Sequence, residues 1–204
     1  VRISPSQIRK AISDPTYRVA QEKPGPKIST DGTLRKAIRM FHTGGVETAS
    51  SALEDGLKSE YWRRAGVSRA KNARYMLDTY IDLARADLRT VSTVGKSDVR
   101  TLGHVINADV DVVLQDALSV AGRVCILADV GNGLSLDRCA LVAAAPFKAL
   151  CDEFEPEDAL FGETVTGIDI WQLRCGQCIH VSREEATDAW PILLTHLARA
   201  TSEK

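Results

Sequence analysis

No stretch of this sequence is an uninterrupted apolar run of about 18 residues, the length a membrane-spanning helix needs. The strongest candidate, Ala140 to Pro146, is short and bounded by charge, so no membrane partner is expected. Internal repeats and low-complexity tracts are absent, which excludes a repeat array and a wholly disordered chain. There is no Gly-x-Gly-x-x-Gly, phosphate loop or His-Glu-x-x-His run, so dinucleotide, phosphate-loop and zincin chemistry have no foothold. The first residues, Val-Arg-Ile-Ser, are not a basic-then-apolar secretion segment. Cysteine is sparse: Cys125, Cys139, Cys151, Cys175 and Cys178 make an odd count with none before residue 125. That is no disulfide framework, and a reduced cytoplasmic setting is the expectation.

What is present suits one α/β domain over residues 1–204, with 44% hydrophobic and 26% charged residues. Net charge is only -1, but residues 1–100 hold 19 Lys and Arg against 11 Asp and Glu, whereas residues 101–204 hold 7 against 16. A +8 half beside a -9 half allows a basic face for an anionic partner next to an acidic, cation-seeking pocket. It equally allows two layers of one domain to complement each other.

Residues 1–89 read as a mostly helical leader. Ser4-Pro5-Ser6-Gln7 is a capping box with proline in the first turn, and Asp14-Pro15 ends that helix. Asp31 caps a second helix that stops before Gly44-Gly45, and a third covers 46–59. Following Ser68 as cap, Ala73, Leu77, Tyr80, Ile81, Ala84 and Leu88 form the buried stripe of a fourth. Arg74, Arg85 and Arg89 lie beside that stripe with Asp78 and Asp82, as a mixed solvated face or a phosphate-binding one. Tyr17, Tyr61 and Tyr75, each near arginines, are core edges or stacking residues.

From residue 90 the period becomes alternating. Val91–Val94 is extended and 95–98 is a turn; 105–114 is a strand with Asn107, Asp109 and Asp111 on one face, and 124–130 is its apolar neighbour ending near Asp129. Residues 134–154 fit strand or helix, with Pro146 expected to break or kink either and 148–154 helical. A second hairpin spans 164–181, turning at 174–177. Ser182 and Glu185 then form a capping box for the last helix, with a kink expected at Pro191.

Asp109, Asp111 and Asp129 are the main polar anomaly, because carboxylates among Val and Ile are costly unless paired or bound to a cation. Asp111 and Asp129 on paired strands suit Mg²⁺, a hard ion that prefers carboxylate oxygens; alternatively all three flank strand ends and face solvent. The stretches Asp111-Val112-Val113-Leu114 and Val124-Cys125-Ile126-Leu127-Ala128-Asp129-Val130-Gly131 resemble the metal hairpin of the PD-(D/E)XK nuclease superfamily. The flavour is that of the exonuclease branch found in recombination helicases and CRISPR-adaptation nucleases. The opening Ile-Ser-Pro-Ser-Gln-Ile, the helical leader, and Ile170 to Gln177 before a last strand and helix follow in the same order. The resemblance implies a restriction-endonuclease-like fold, a mixed β-sheet core flanked by helices. It implies Asp111 and Asp129 as Mg²⁺ carboxylates and a DNA or other nucleic-acid substrate.

The family lysine would fall on Gly131, which cannot orient a water, so the implied site is degenerate; Lys148 from the following helix is the candidate replacement. His42 and His104 are each a metal neighbour or an ordinary surface or capping residue. Cys175-Gly176-Gln177-Cys178 has zinc or thiol-exchange spacing, with His180 and distant Cys139 or Cys151 as further ligands, or is simply a hairpin turn. Three functions remain: a noncatalytic or weakly active nuclease-like domain binding nucleic acid or a nucleic-acid-processing protein, a Mg²⁺-dependent nuclease using Asp111, Asp129 and Lys148, or an interaction or inhibitory scaffold, for example from a defence system.

Overall fold

The computed structural model describes residues 2–19, 30–59, 62, 66–87, 90–93, 97–101, 104–108, 112–115, 123–129, 135–155 and 164–202. Its first helix, α1 (Pro5–Ser13), opens as the capping box requires: the Gln7 side chain accepts from Ser4 N at 2.8 Å. Asp14 leaves the helical region ahead of Pro15. Helix α2 (Thr30–Leu57) bends sharply at Gly45, whose φ of 76° and ψ of -170° are open to glycine at little cost. The expected stop at Gly44-Gly45 and restart at 46 are thus one bent element. Helix α3 (Val67–Ala86) starts from Gly66, slightly earlier than the Ser68 cap predicts, and ends before Leu88. Its stripe of Ala73, Met76, Leu77, Tyr80 and Ile81 packs with Leu34, Ile38 and Leu53 of α2.

Among the described residues the strands are β1 (Arg2–Ile3), β2 (Thr90–Thr93), β3 (Ser97–Thr101), β4 (His104–Ala108), β5 (Val112–Gln115), β6 (Arg123–Asp129), β7 (Val165–Gln172) and β8 (Gln177–Ser182). Two sequence expectations are corrected here. The stretch 105–114 is not one strand: β4 and β5 belong to different sheets, and 109–111 lie outside the described residues. Ser97 and Asp98, expected in a turn, begin β3. That strand has one large apolar residue, Val99, and therefore no alternation to read.

The larger sheet has the order β2-β5-β6-β7-β8. Its β5–β6 and β7–β8 pairs are antiparallel, whereas β6 and β7 are parallel and need a crossover. Helix α4 (Leu136–Phe154) supplies it, resolving the ambiguity of 134–154 in favour of helix. The helix runs on through Pro146. Burial of Val142, Ala143, Phe147 and Leu150 against Ile168 and Ile170 of β7 outweighs the roughly 3 kcal/mol an interior proline costs.

On the opposite face of β7, Trp171 and Leu173 pack with α2 and α3, so every residue of β7 except Thr166 is buried. The smaller sheet, β1-β4-β3, lies on α1, α4 and helix α5 (Arg183–Thr201) through Ile3, Ile106 and Val99. Ser182 caps α5 as predicted, accepting from Glu185 N at 3.2 Å, and α5 continues through the exposed Pro191. The architecture is mixed α/β. Among the described residues no helix is long and apolar enough to cross a membrane.

Candidate nuclease-like site

The strand that follows Asp111 lies directly against the strand that ends in Asp129. Val112 faces Ile126 in the β5–β6 ladder and Gln115 faces Arg123. On the other side of β6, Asp129 is the register partner of Gln172 in parallel β7. The carboxyl ends of adjoining parallel strands are where open α/β sheets commonly place ligands. Asp109, Asp111 and Gly131 are outside the described residues, as is the side chain of Asp129.

Gln172 is the described polar group at this end, and only 4% of it is exposed. Its Nε2 lies 4.0 Å from Cys139 Sγ at the start of α4. Cys175 Sγ donates to its Oε1 and its backbone oxygen, each at 3.5 Å. One residue earlier, Trp171 meets the ring of Tyr80 at 5.2 Å between centroids. Tyr80 Oη is hydrogen-bonded to His42 Nε2 at 2.7 Å, and Phe41 packs edge-on against both rings. His42, read from sequence as a metal neighbour or a surface residue, is partly buried in an aromatic cluster. Burial pushes its imidazole below the usual histidine range, toward the neutral form.

Lys148 sits apart from this end. Its side chain is 44% exposed, with the ammonium paired to Asp152 one turn along α4. Nine residues separate it from Cys139, about 14 Å along a helix axis at 1.5 Å per residue. At the far end of α4, Glu155 closes onto the start of β7: Oε1 accepts from Thr164 N and Val165 N, and Arg183 bonds both carboxylate oxygens at 3.0 Å. Burial pushes the Glu155 carboxyl up, but Arg183 and the two backbone donors outweigh it and hold it below its ordinary value.

One arginine of the α3 face is neutralised by a carboxylate of α2. Arg74 makes a two-pronged pair with Glu54 at 2.6 and 2.8 Å, whereas Asp78, Asp82 and Arg85 are exposed; Arg89 is outside the described residues. His104 contributes its backbone to the β3–β4 ladder. His196 Nδ1 accepts from Arg199 at 3.1 Å.

Reading from sequence missed Asp169 and considered His180 only beside the cysteines. They face each other across β7 and β8, and His180 Nδ1 lies 2.6 Å from Asp169 Oδ1. The carboxylate is 6% exposed and the imidazole 54%. Gly167 makes room for the ring, since a Cβ there would stand 2.9 Å from His180 Cε1. The signal was an aspartate inside the otherwise apolar Ile168–Trp171 run, whose partner only the register reveals.

Cys175 and Cys178 are exposed at the hairpin, and neither is in a disulfide. Of the distant thiols suggested as co-ligands, Cys139 is buried beside Gln172. Cys151 is pushed up to about 12, first by burial and then by Glu155, which opposes the thiolate that metal binding needs. Among the described residues no three His, Cys, Asp or Glu side chains converge to hold a metal ion. No protein-family model and no curated protein matches the chain.

Proposed function

We propose that the chain is a nuclease-like α/β domain, restriction-endonuclease-like in fold, that binds nucleic acid and cuts it weakly or not at all. The supporting observation is the β5–β6 register, which sets the strand after Asp111 antiparallel to the strand ending in Asp129. On this reading Asp111 and Asp129 hold Mg²⁺ through carboxylate oxygens, and the ion supplies charge stabilisation to a phosphoryl oxygen. Catalysis also needs a group to orient water and balance developing charge. Glycine at 131 offers none, and Lys148 would have to leave Asp152 and span the helix to do so.

The purified chain is to be incubated with single- and double-stranded DNA and RNA, with Mg²⁺ and with Mn²⁺. The expected result is binding that weakens steeply with salt, as displaced counterions require, without cleavage. Metal-dependent cleavage abolished by Asp111→Ala and by Asp129→Ala would overturn the noncatalytic reading and, if Lys148→Ala also abolished it, assign the lysine role. Failure to bind any nucleic acid, with a nucleic-acid-free protein partner co-purifying, would replace the proposal with a scaffold.

A further inference from the structure

Helix α2 is pinned to the core at two places with an unburied stretch between them. Ile38 and Ala49 are both 0% exposed, whereas every residue from 39 to 48 is partly or fully exposed. The break at Gly45 falls inside that stretch, and hydroxyls take the carbonyls around it. Thr43 Oγ1 donates to Arg39 O and Met40 O at 3.4 and 3.3 Å, and Thr48 Oγ1 to Gly44 O at 2.6 Å. Few buried contacts around a built-in break make this a segment that opens locally at low cost. Phe41 and Val46 pack it against the core, and His42 Nε2 meets Tyr80 Oη at 2.7 Å. Tyr80 is 0% exposed and lies on Trp171 of β7, so the His42 contact ties the segment to the centre of the molecule.

We propose that residues 39–48 are an acid-responsive segment, docked on α3 while His42 is neutral and released when it is protonated. An imidazolium here is a charge beside Phe41 and Tyr80 with the Tyr80 hydroxyl as its partner, a cost that opening the segment to water removes. From α3 the titratable group against the ring is Tyr80; β7 contributes Trp171, which is uncharged; α2 itself carries Arg39 and Glu47 nearby. Burial is what lowers the imidazole, and no charged side chain among the described residues adds to it. The opened segment titrates at the ordinary 6.5 and the docked one below it. Docking is therefore complete above 6.5 and weakens as pH falls toward the docked value, by at most about tenfold per pH unit.

The test is amide hydrogen exchange read by mass spectrometry between about pH 7.5 and about pH 5.5, as protection relative to the intrinsic rate, on wild type and His42→Gln. Glutamine stays neutral and keeps an amide to meet Tyr80 Oη. An NMR titration of the His42 imidazole in the wild-type chain accompanies it. Wild-type protection across 39–48 is expected to fall roughly three- to tenfold as pH drops, with residues 140–150 of α4 unchanged and no such fall in His42→Gln. The imidazole is expected to titrate below 6.5. Protection independent of pH in the wild-type segment would overturn the proposal. An equal fall in His42→Gln would overturn it by assigning the response to another group, and an equal fall in α4 by making it a loosening of the whole fold. Should His42→Gln not fold, the wild-type titration decides: an imidazole that titrates at or above 6.5, held charged by the surrounding rings, overturns the proposal.

Discussion

Strand β7 of the larger sheet and strand β1 of the smaller are buried in opposite ways. In the larger, β7 lies between α4 on one face and the α2–α3 layer on the other, and its side chains are buried almost without interruption. In the smaller, β1 already shows the alternation of a sheet covered on one side, with Arg2 exposed and Ile3 buried. A parallel neighbour reached through a crossover helix places β7 inside the molecule, whereas short edge strands leave one face for other uses. Substitution in β7 should therefore cost stability. In the outer row of the smaller it should cost little.

The largest effect is expected at Trp171, which joins β7 to Tyr80 and the helical layer. Trp171→Ala should lower unfolding free energy by about 4 kcal/mol in urea titrations, from lost transfer and the cavity left behind. Glu155→Ala comes next at about 3 kcal/mol, because it leaves Arg183 and two backbone N–H groups without their acceptor. The sign with pH follows from its lowered folded-state value. Its contribution is complete above the ordinary 4.5 and is lost as pH falls through the folded-state value, so wild type and variant should converge in acid.

Gly167→Ala should cost about 2 kcal/mol, since the added carbon runs into the Val181 carbonyl oxygen and displaces the His180 ring from Asp169. Loss of the His180 contact is to be followed by NMR of the imidazole. At the small end, Arg2→Ala, Arg100→Ala and Lys148→Ala should each change stability by about 0.5 kcal/mol or less. A destabilisation at Arg2 or Arg100 as large as that at Glu155 would erase the contrast between the sheets.

Local chemistry was legible where it was decided locally. The capping boxes at Ser4 and Ser182, the break at Gly44-Gly45 and the β7–β8 hairpin depend on neighbours within a few residues, and all stand where the sequence puts them. What was hidden depends on distant partners. Whether 105–114 is one strand or two is settled by β1 and β3 claiming one half and β6 the other. Residues 136–154 carry apolar side chains on too many sides for either period to stand out, and Pro146 argues against the helix that packing stabilises. The Asp169–His180 contact needs a register that no spacing along the chain specifies. For the proposed acidic site, Asp111, Asp129 and Gly131 were readable as residue types, and the structure adds the pairing of 112–115 with 123–126 and of 123–129 with β7.

That pairing makes Gly131 the point at which the proposal meets its most direct test. Gly131→Lys is to be assayed for oligonucleotide cleavage with Mg²⁺ and Mn²⁺ beside wild type, with circular dichroism confirming the fold of each. The account predicts little or no cleavage by wild type and metal-dependent cleavage by Gly131→Lys that Asp129→Ala removes. A folded Gly131→Lys that binds the oligonucleotide yet cuts no better than wild type would contradict it.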